Sequence, residues 1–114
     1  MSRLRVNRDV ARARRVDRER ATAEEMSRAW HGYNTARAGI ELAQVGVAAA
    51  SESYRVQRAR YSEGATTILE LLEAQVALGE AEADLVRSRH SARLALARIE
   101  ALLGRRLFPS EGND

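Results

Sequence analysis

The chain has 114 residues and a net charge of +3, and all 19 of its basic residues are arginine. That length limits it to one domain at most. With no cysteine, disulfides, thiol catalysis and thiolate metal sites are excluded. Of its 51 hydrophobic residues 21 are alanine, beside one Phe, one Trp and three Tyr. A compact globule needs bulkier core residues, whereas alanine and arginine are strong helix formers suited to long rods that approach closely.

Met1 to Arg20 contains no apolar run, so no secretory signal is expected, and no stretch is long enough to span a bilayer as a helix. Taken alone, the polypeptide reads as soluble and cytosolic. Residues 1–25 form the arginine-rich start of a first long helix, with eight Arg in the first twenty positions. Asp9, Asp17 and Glu19 lie among them and neutralise part of the charge through neighbouring turns. A nucleic-acid-binding arm is one reading of this segment. No aromatic is interleaved to stack on bases, so a solvated helical face is the better reading, and no nucleic acid is expected. The charge is polarised: residues 1–60 hold 13 Arg against 7 acids, and residues 61–114 hold 6 Arg against 9 acids.

From Met26 a heptad pattern sets in. Met26, Tyr33, Ile40, Val47, Tyr54 and Tyr61 recur every seven residues. Ala29, Ala36, Ala43 and Ala50 follow three positions after the first four, and Gln57 takes that place after Tyr54. Large residues alternating with alanine let two helices approach closely and supercoil left-handedly. A second stripe on the same helix comprises Ala38, Leu42, Val45, Ala49, Val56 and Ala59. Gly32, Gly39 and Gly46 run between the stripes, again seven apart. Each costs about 1 kcal/mol of helix stability relative to alanine, which suggests a neighbour pressed against the backbone.

The pattern breaks near the middle. Gly64 is the residue there free to take the left-handed conformation that closes a helix. Thr67 and Glu70 then form a capping box for a second helix. A break that short makes the two helices antiparallel neighbours. The second helix is expected to end at Gly104. One seam on it is Leu71, Ala74, Leu78, Ala81, Leu85, Ser88, Ala92, Ala95, Ile99 and Leu102. A further stripe is Leu69, Leu72, Val76, Gly79, Ala83, Val86, His90 and Ala97. The expected fold is therefore all-α: a long antiparallel two-helix coiled-coil hairpin with a helix over about 4–62, a tip at 63–66 and a helix over about 67–103. Its divisions are 1–25, the hairpin at 26–104, and a polar tail at 105–114 around Pro109.

An isolated hairpin needs one seam per helix. Two seams on each mean flanking on both sides, as in the wall of an α-helical barrel or a larger bundle. Exposing a large apolar side chain forfeits about 1.5–3 kcal/mol. The helices also differ in length, so the first 25 residues overhang with nothing to pack on.

Little else points to chemistry. His31 and His90 are isolated, without a second ligand three or four residues away, so neither a metal site nor any cofactor is expected. Ser88-Arg89-His90-Ser91 has no aspartate beside it and no strained turn to present a nucleophile, so the chain is not read as an enzyme.

The residues that carry a family likeness are Ala29-Trp30 with the alanine-rich heptads, Ala49 with Tyr54, and the run Arg60-Tyr61-Ser62-Glu63-Gly64-Ala65-Thr66-Thr67-Ile68-Leu69-Glu70-Leu71-Leu72-Glu73-Ala74-Gln75, continuing to Ala101-Leu102-Leu103-Gly104. Over roughly residues 20–108 the chain resembles the C-terminal half of the TolC-like outer-membrane efflux family. The resemblance implies a trimeric conduit of a tripartite efflux or type I secretion system, with barrel strands in the outer membrane and long helices in a periplasmic tunnel. It implies as partners a periplasmic adaptor and an inner-membrane pump. Tyr61, Ser62, Glu63, Gly64, Ala65, Thr66 and Thr67 would form the adaptor-docking tip, and Tyr61, Glu70 and Glu73 a pore constriction. The residues themselves read first as something plainer: Tyr61 as seam packing, Glu70 as a helix cap and Glu73 as a solvated charge. Relative to that family the chain is expected to be a fragment, lacking the signal sequence, the first repeat and the membrane strands. Two other readings stay open: the hairpin of a periplasmic adaptor, and a free-standing coiled-coil interaction module.

Overall fold

The computed structural model describes residues 2–107, which form α1 (Ser2–Ser62) and α2 (Ile68–Leu107). α2 packs antiparallel against the turn-proximal part of α1, from about Glu25 to Gln57. The molecule measures 94 × 24 × 17 Å, a plank one helix thick and two helices wide. The residues expected at 108–114, including Pro109, lie outside the described residues.

The seam forms where the heptads put it. Met26, Ala29, Tyr33, Ala36, Ile40, Ala43, Val47, Ala50, Tyr54 and Gln57 are buried or half-buried on α1. All ten expected seam residues of α2, from Leu71 to Leu102, are likewise buried or half-buried. Side chains at positions three and four apart share one helix face, so the two seams meet along one side of each rod. Burial is uneven along the seam. Ala29, Ala92, Ile99 and Leu102 are buried, and all lie toward the end away from the turn. Ala29, Ile99 and Leu102 form one cluster, with Met26 and Tyr33 packed against it. Trp30 meets Tyr33 edge to face at 6.2 Å between ring centroids, an arrangement favoured by the ring quadrupoles.

Tyr61 departs from its heptad. It is 44% exposed, because α1 ends one residue later and α2 has not begun at that level. The seam therefore closes at Gln57 and Leu71. α2 also runs one turn further than expected, through Gly104 to Leu107. Gly64 is the one described glycine with positive φ; Gly104 keeps a helical backbone and does not terminate the helix.

The overhang is present. Every described residue from Ser2 to Glu24 is exposed. On the helical repeat, the face that carries the seam from Met26 onward carries Arg5, Arg8, Arg12 and Arg15 in the overhang. On the exposed side of α1, Glu52 and Arg55 pair at 2.6 Å. That hydrogen bond and the guanidinium charge hold the Glu52 carboxyl below its ordinary range. A second such pair joins Asp84 and Arg87 on α2.

Ile99 is 2% exposed, so Ile99→Ala is expected to cost about 2–5 kcal/mol, read by urea denaturation followed by circular dichroism. Leu42→Ala on the exposed side is expected to leave the stability of the dilute, unassociated chain within about 0.5 kcal/mol.

Candidate functional site

The turn is built from backbone upward. Gly64 has φ 73°, a conformation with almost no steric cost for glycine and a large one for other residues. The Ala65 N–H donates to the Arg60 carbonyl at 2.8 Å, and the Gly64 N–H donates to the Tyr61 carbonyl at 3.0 Å. Together these are the two bonds of a Schellman closure, which satisfies carbonyls left open at a helix end. The Arg60 guanidinium also donates to the Ala65 carbonyl at 3.5 Å. Sequence reading missed this clamp, although Arg60 stands four residues before the glycine, the spacing at which the closure draws the two ends together. Ser62 donates to the Arg58 carbonyl at 3.1 Å.

On the far side, the Thr67 hydroxyl accepts from the Glu70 N–H at 3.2 Å. This is one half of the expected capping box. The other half is altered: the Glu70 carboxylate takes a hydrogen bond from the Thr66 hydroxyl. The carboxylate still sits in the first turn, where the positive end of the helix dipole favours it. Both neighbouring threonines thus tie the loop to α2.

Of the residues expected at the tip, Tyr61, Ser62, Glu63, Gly64, Ala65 and Thr67 are exposed and Thr66 is half-buried. They lie together at one end of the plank. Tyr61, Glu70 and Glu73 fall within the last turn of α1 and the first two turns of α2. Glu70 and Glu73 are exposed, and among the described residues no hydrogen bond joins Tyr61 to either carboxylate. Glu73 instead borders an open groove with Leu69, Leu72, Val76, Ala77 and Glu80.

The second stripes remain uncovered. Leu42 is 74% exposed and Leu69 is 62% exposed, with Val45, Val56, Leu72, Val76 and Val86 also open. At about 100° per residue, the second stripe of α1 lies roughly 160° from its seam, and that of α2 roughly 150° from its own. The apolar stripes therefore run along the two outer edges of the plank. The glycine ridge lies between edge and seam, where Gly39 and Gly46 line an open groove with Ala81, Asp84 and Ser88 of α2, and a Cβ added at Gly32, Gly39 or Gly46 would meet nothing within 4 Å. Within this chain α2 is not the neighbour that the glycines were expected to admit. No described helix is long and apolar enough to cross a membrane.

A plank that buries one face of each helix and leaves the opposite edge of each apolar is a stave, shaped to stand in a wall of helices. The sequence profile described as outer membrane efflux protein matches residues 4–105. The chain belongs to the outer membrane efflux protein family, a family of transport channels of the outer membrane and periplasm. No curated protein and no solved structure matches it.

Gly64→Ala places a side chain at φ 73° and is expected to destabilise the turn by about 1–2 kcal/mol. Thr67→Ala removes the cap and is expected to cost about 0.5–2 kcal/mol. Thermal unfolding of each variant by circular dichroism checks both values.

Proposed function

We propose that this hairpin is a periplasmic stave of a trimeric outer-membrane channel in a tripartite efflux or secretion system. The observation that carries this reading is the pair of exposed apolar edges. Leu42, Val45 and Val56 on α1, and Leu69, Leu72, Val76 and Val86 on α2, lie outside the seam. Each large side chain among them gains about 1.5–3 kcal/mol when a neighbour covers it. Continuous contact along both edges is what a closed ring of rods supplies.

In this reading the turn is the periplasmic end. Tyr61 to Thr67 form the surface that meets an adaptor, coupled in turn to an inner-membrane pump. The turn suits docking because its backbone bonds are satisfied internally while its side chains stay exposed. Glu73 is the carboxylate available to a constriction, since the Glu70 carboxylate already accepts from the Thr66 hydroxyl. Tyr61, exposed at the end of α1, is the aromatic that this reading adds to the constriction.

The edge reading predicts self-association. By analytical ultracentrifugation at micromolar concentration the chain is expected to form oligomers, and Leu42→Glu with Val76→Glu to shift them to monomer. A well-folded parent monomer under the same conditions would remove the basis for the stave. The tip reading is tested in the bacterial envelope with a photocrosslinking residue at Ala65. An adduct with a hairpin-bearing periplasmic adaptor is expected there and not from the same residue at Arg12. Adducts at Arg12 alone would place docking at the other end.

A further inference from the structure

We infer that copies of this chain join end to end, the turn end of α2 in one copy docking on the arginine overhang of the next. The contact is read from two rows of opposite charge at opposite ends of the plank. Arg5, Arg8, Arg12 and Arg15 continue the seam face of α1 past the end of α2, and all four are exposed. Glu70, Glu73, Ala77 and Glu80 are exposed on α2 next to the turn. At about 100° per residue these four share one side of the helix, turned roughly 100° away from its seam.

Both rows run at intervals of three, four and three residues. That pattern reads the same in either direction, so an antiparallel approach matches it without a slip. Arg15 then meets Glu70, Arg12 meets Glu73, Arg8 lies over Ala77, and Arg5 meets Glu80. Neither row is spent inside its own chain. The ion pairs among the described residues join Glu52 to Arg55 and Asp84 to Arg87. Of the three carboxylates, Glu70 alone among the described residues takes a side-chain hydrogen bond, from Thr66.

The ends also fit. Leu102 belongs to the cluster that Met26 packs against, and α2 continues past it to Leu107. Its last residue is therefore about level with Ala21. With Glu70 beside Arg15, Ile68 of the second copy stands about level with Asp17. The ~6 Å between those levels is the space for the turn, so the visiting rod takes up the lane that α2 leaves open. Its arrival brings apolar cover as well. Leu4 is 74% exposed beside the arginine row, and Leu69, Leu72, Val76 and Ala77 line the groove that Glu73 and Glu80 border.

Such a contact uses a different patch on each copy, so it adds further copies in line rather than closing on a pair. Each ion pair is exposed and weak alone, and salt screens the row. The association therefore depends on concentration and on low ionic strength, whereas contact between the apolar edges is not screened.

The test is sedimentation velocity of the full chain at about 20 and about 500 mM sodium chloride, conditions of weak and strong screening. Arg5→Glu with Arg12→Glu makes one variant, and Glu73→Arg with Glu80→Arg the other; Glu70 is left alone because it caps α2. Circular dichroism checks that both keep the helix content of the parent. The parent is expected to form a series of species that lengthens with concentration at low salt and shortens at high salt. Each variant alone is expected to associate about tenfold more weakly at low salt, since attractions become repulsions. Mixed in equal amounts, the two are expected to recover the parent's association to within about threefold, because each supplies the row that the other lacks. A mixture no stronger than its components would overturn the contact, and so would parent association indifferent to salt and to both reversals. None of the reversed residues belongs to the apolar edges, so loss of this contact leaves the edge-driven association of the stave reading standing, and the two fail separately.

Discussion

Everything in this molecule depends on the close approach that alanine permits along the α1–α2 seam. With Ala29, Ala36, Ala43 and Ala50 between larger residues, and Ala74, Ala81, Ala92 and Ala95 on the facing rod, the backbones come near enough for thin side chains to exclude water. The cost of that design is a shallow core. Among the described residues four are buried, and the remaining seam is half-covered. A rod pair with so little interior cannot spare the apolar surface on its outer edges, and the same sequence that makes it thin makes it dependent on neighbours.

The turn follows from the same constraint. Two rods held this close need a connection that reverses the chain in a few residues without leaving backbone groups unpaired. The Gly64 closure and the Thr67 cap do this with local bonds alone, so the tip needs no partner in order to be shaped. The tip side chains are therefore left exposed at one end of the plank, and the apolar stripes run along its sides. In the proposed channel wall, recognition and adhesion would fall to these separate sets of residues.

Much of this was legible in the sequence because period and turn chemistry are local signals. The seven-residue spacing placed twenty seam residues, and Gly64 with Thr67 placed the reversal to within a residue. The features that were not legible depend on choices among near-equal neighbours. Glu70 has two adjacent hydroxyls in reach, and pattern alone cannot say that it pairs with Thr66. Gly104 is compatible with stopping a helix or continuing it, and it continues. Tyr61 obeys its heptad, but the heptad says nothing about whether the opposite rod extends that far. The clustering of the buried residues at the end away from the turn is a property of both helices at once, and no single stretch of either announces it.

The arginines of the overhang have a consequence for axial alignment. The surface that α2 lies on is greasy from Met26 toward the turn and turns cationic at Arg15, Arg12, Arg8 and Arg5. Were α2 to creep along α1 by a few turns, Ile99 and Leu102 would leave their pocket and come to rest on guanidinium groups that hold their water tightly. The row of charges acts as an end stop, so the length of the paired seam is set by where the grease gives out, much as a buffer fixes where a train must halt.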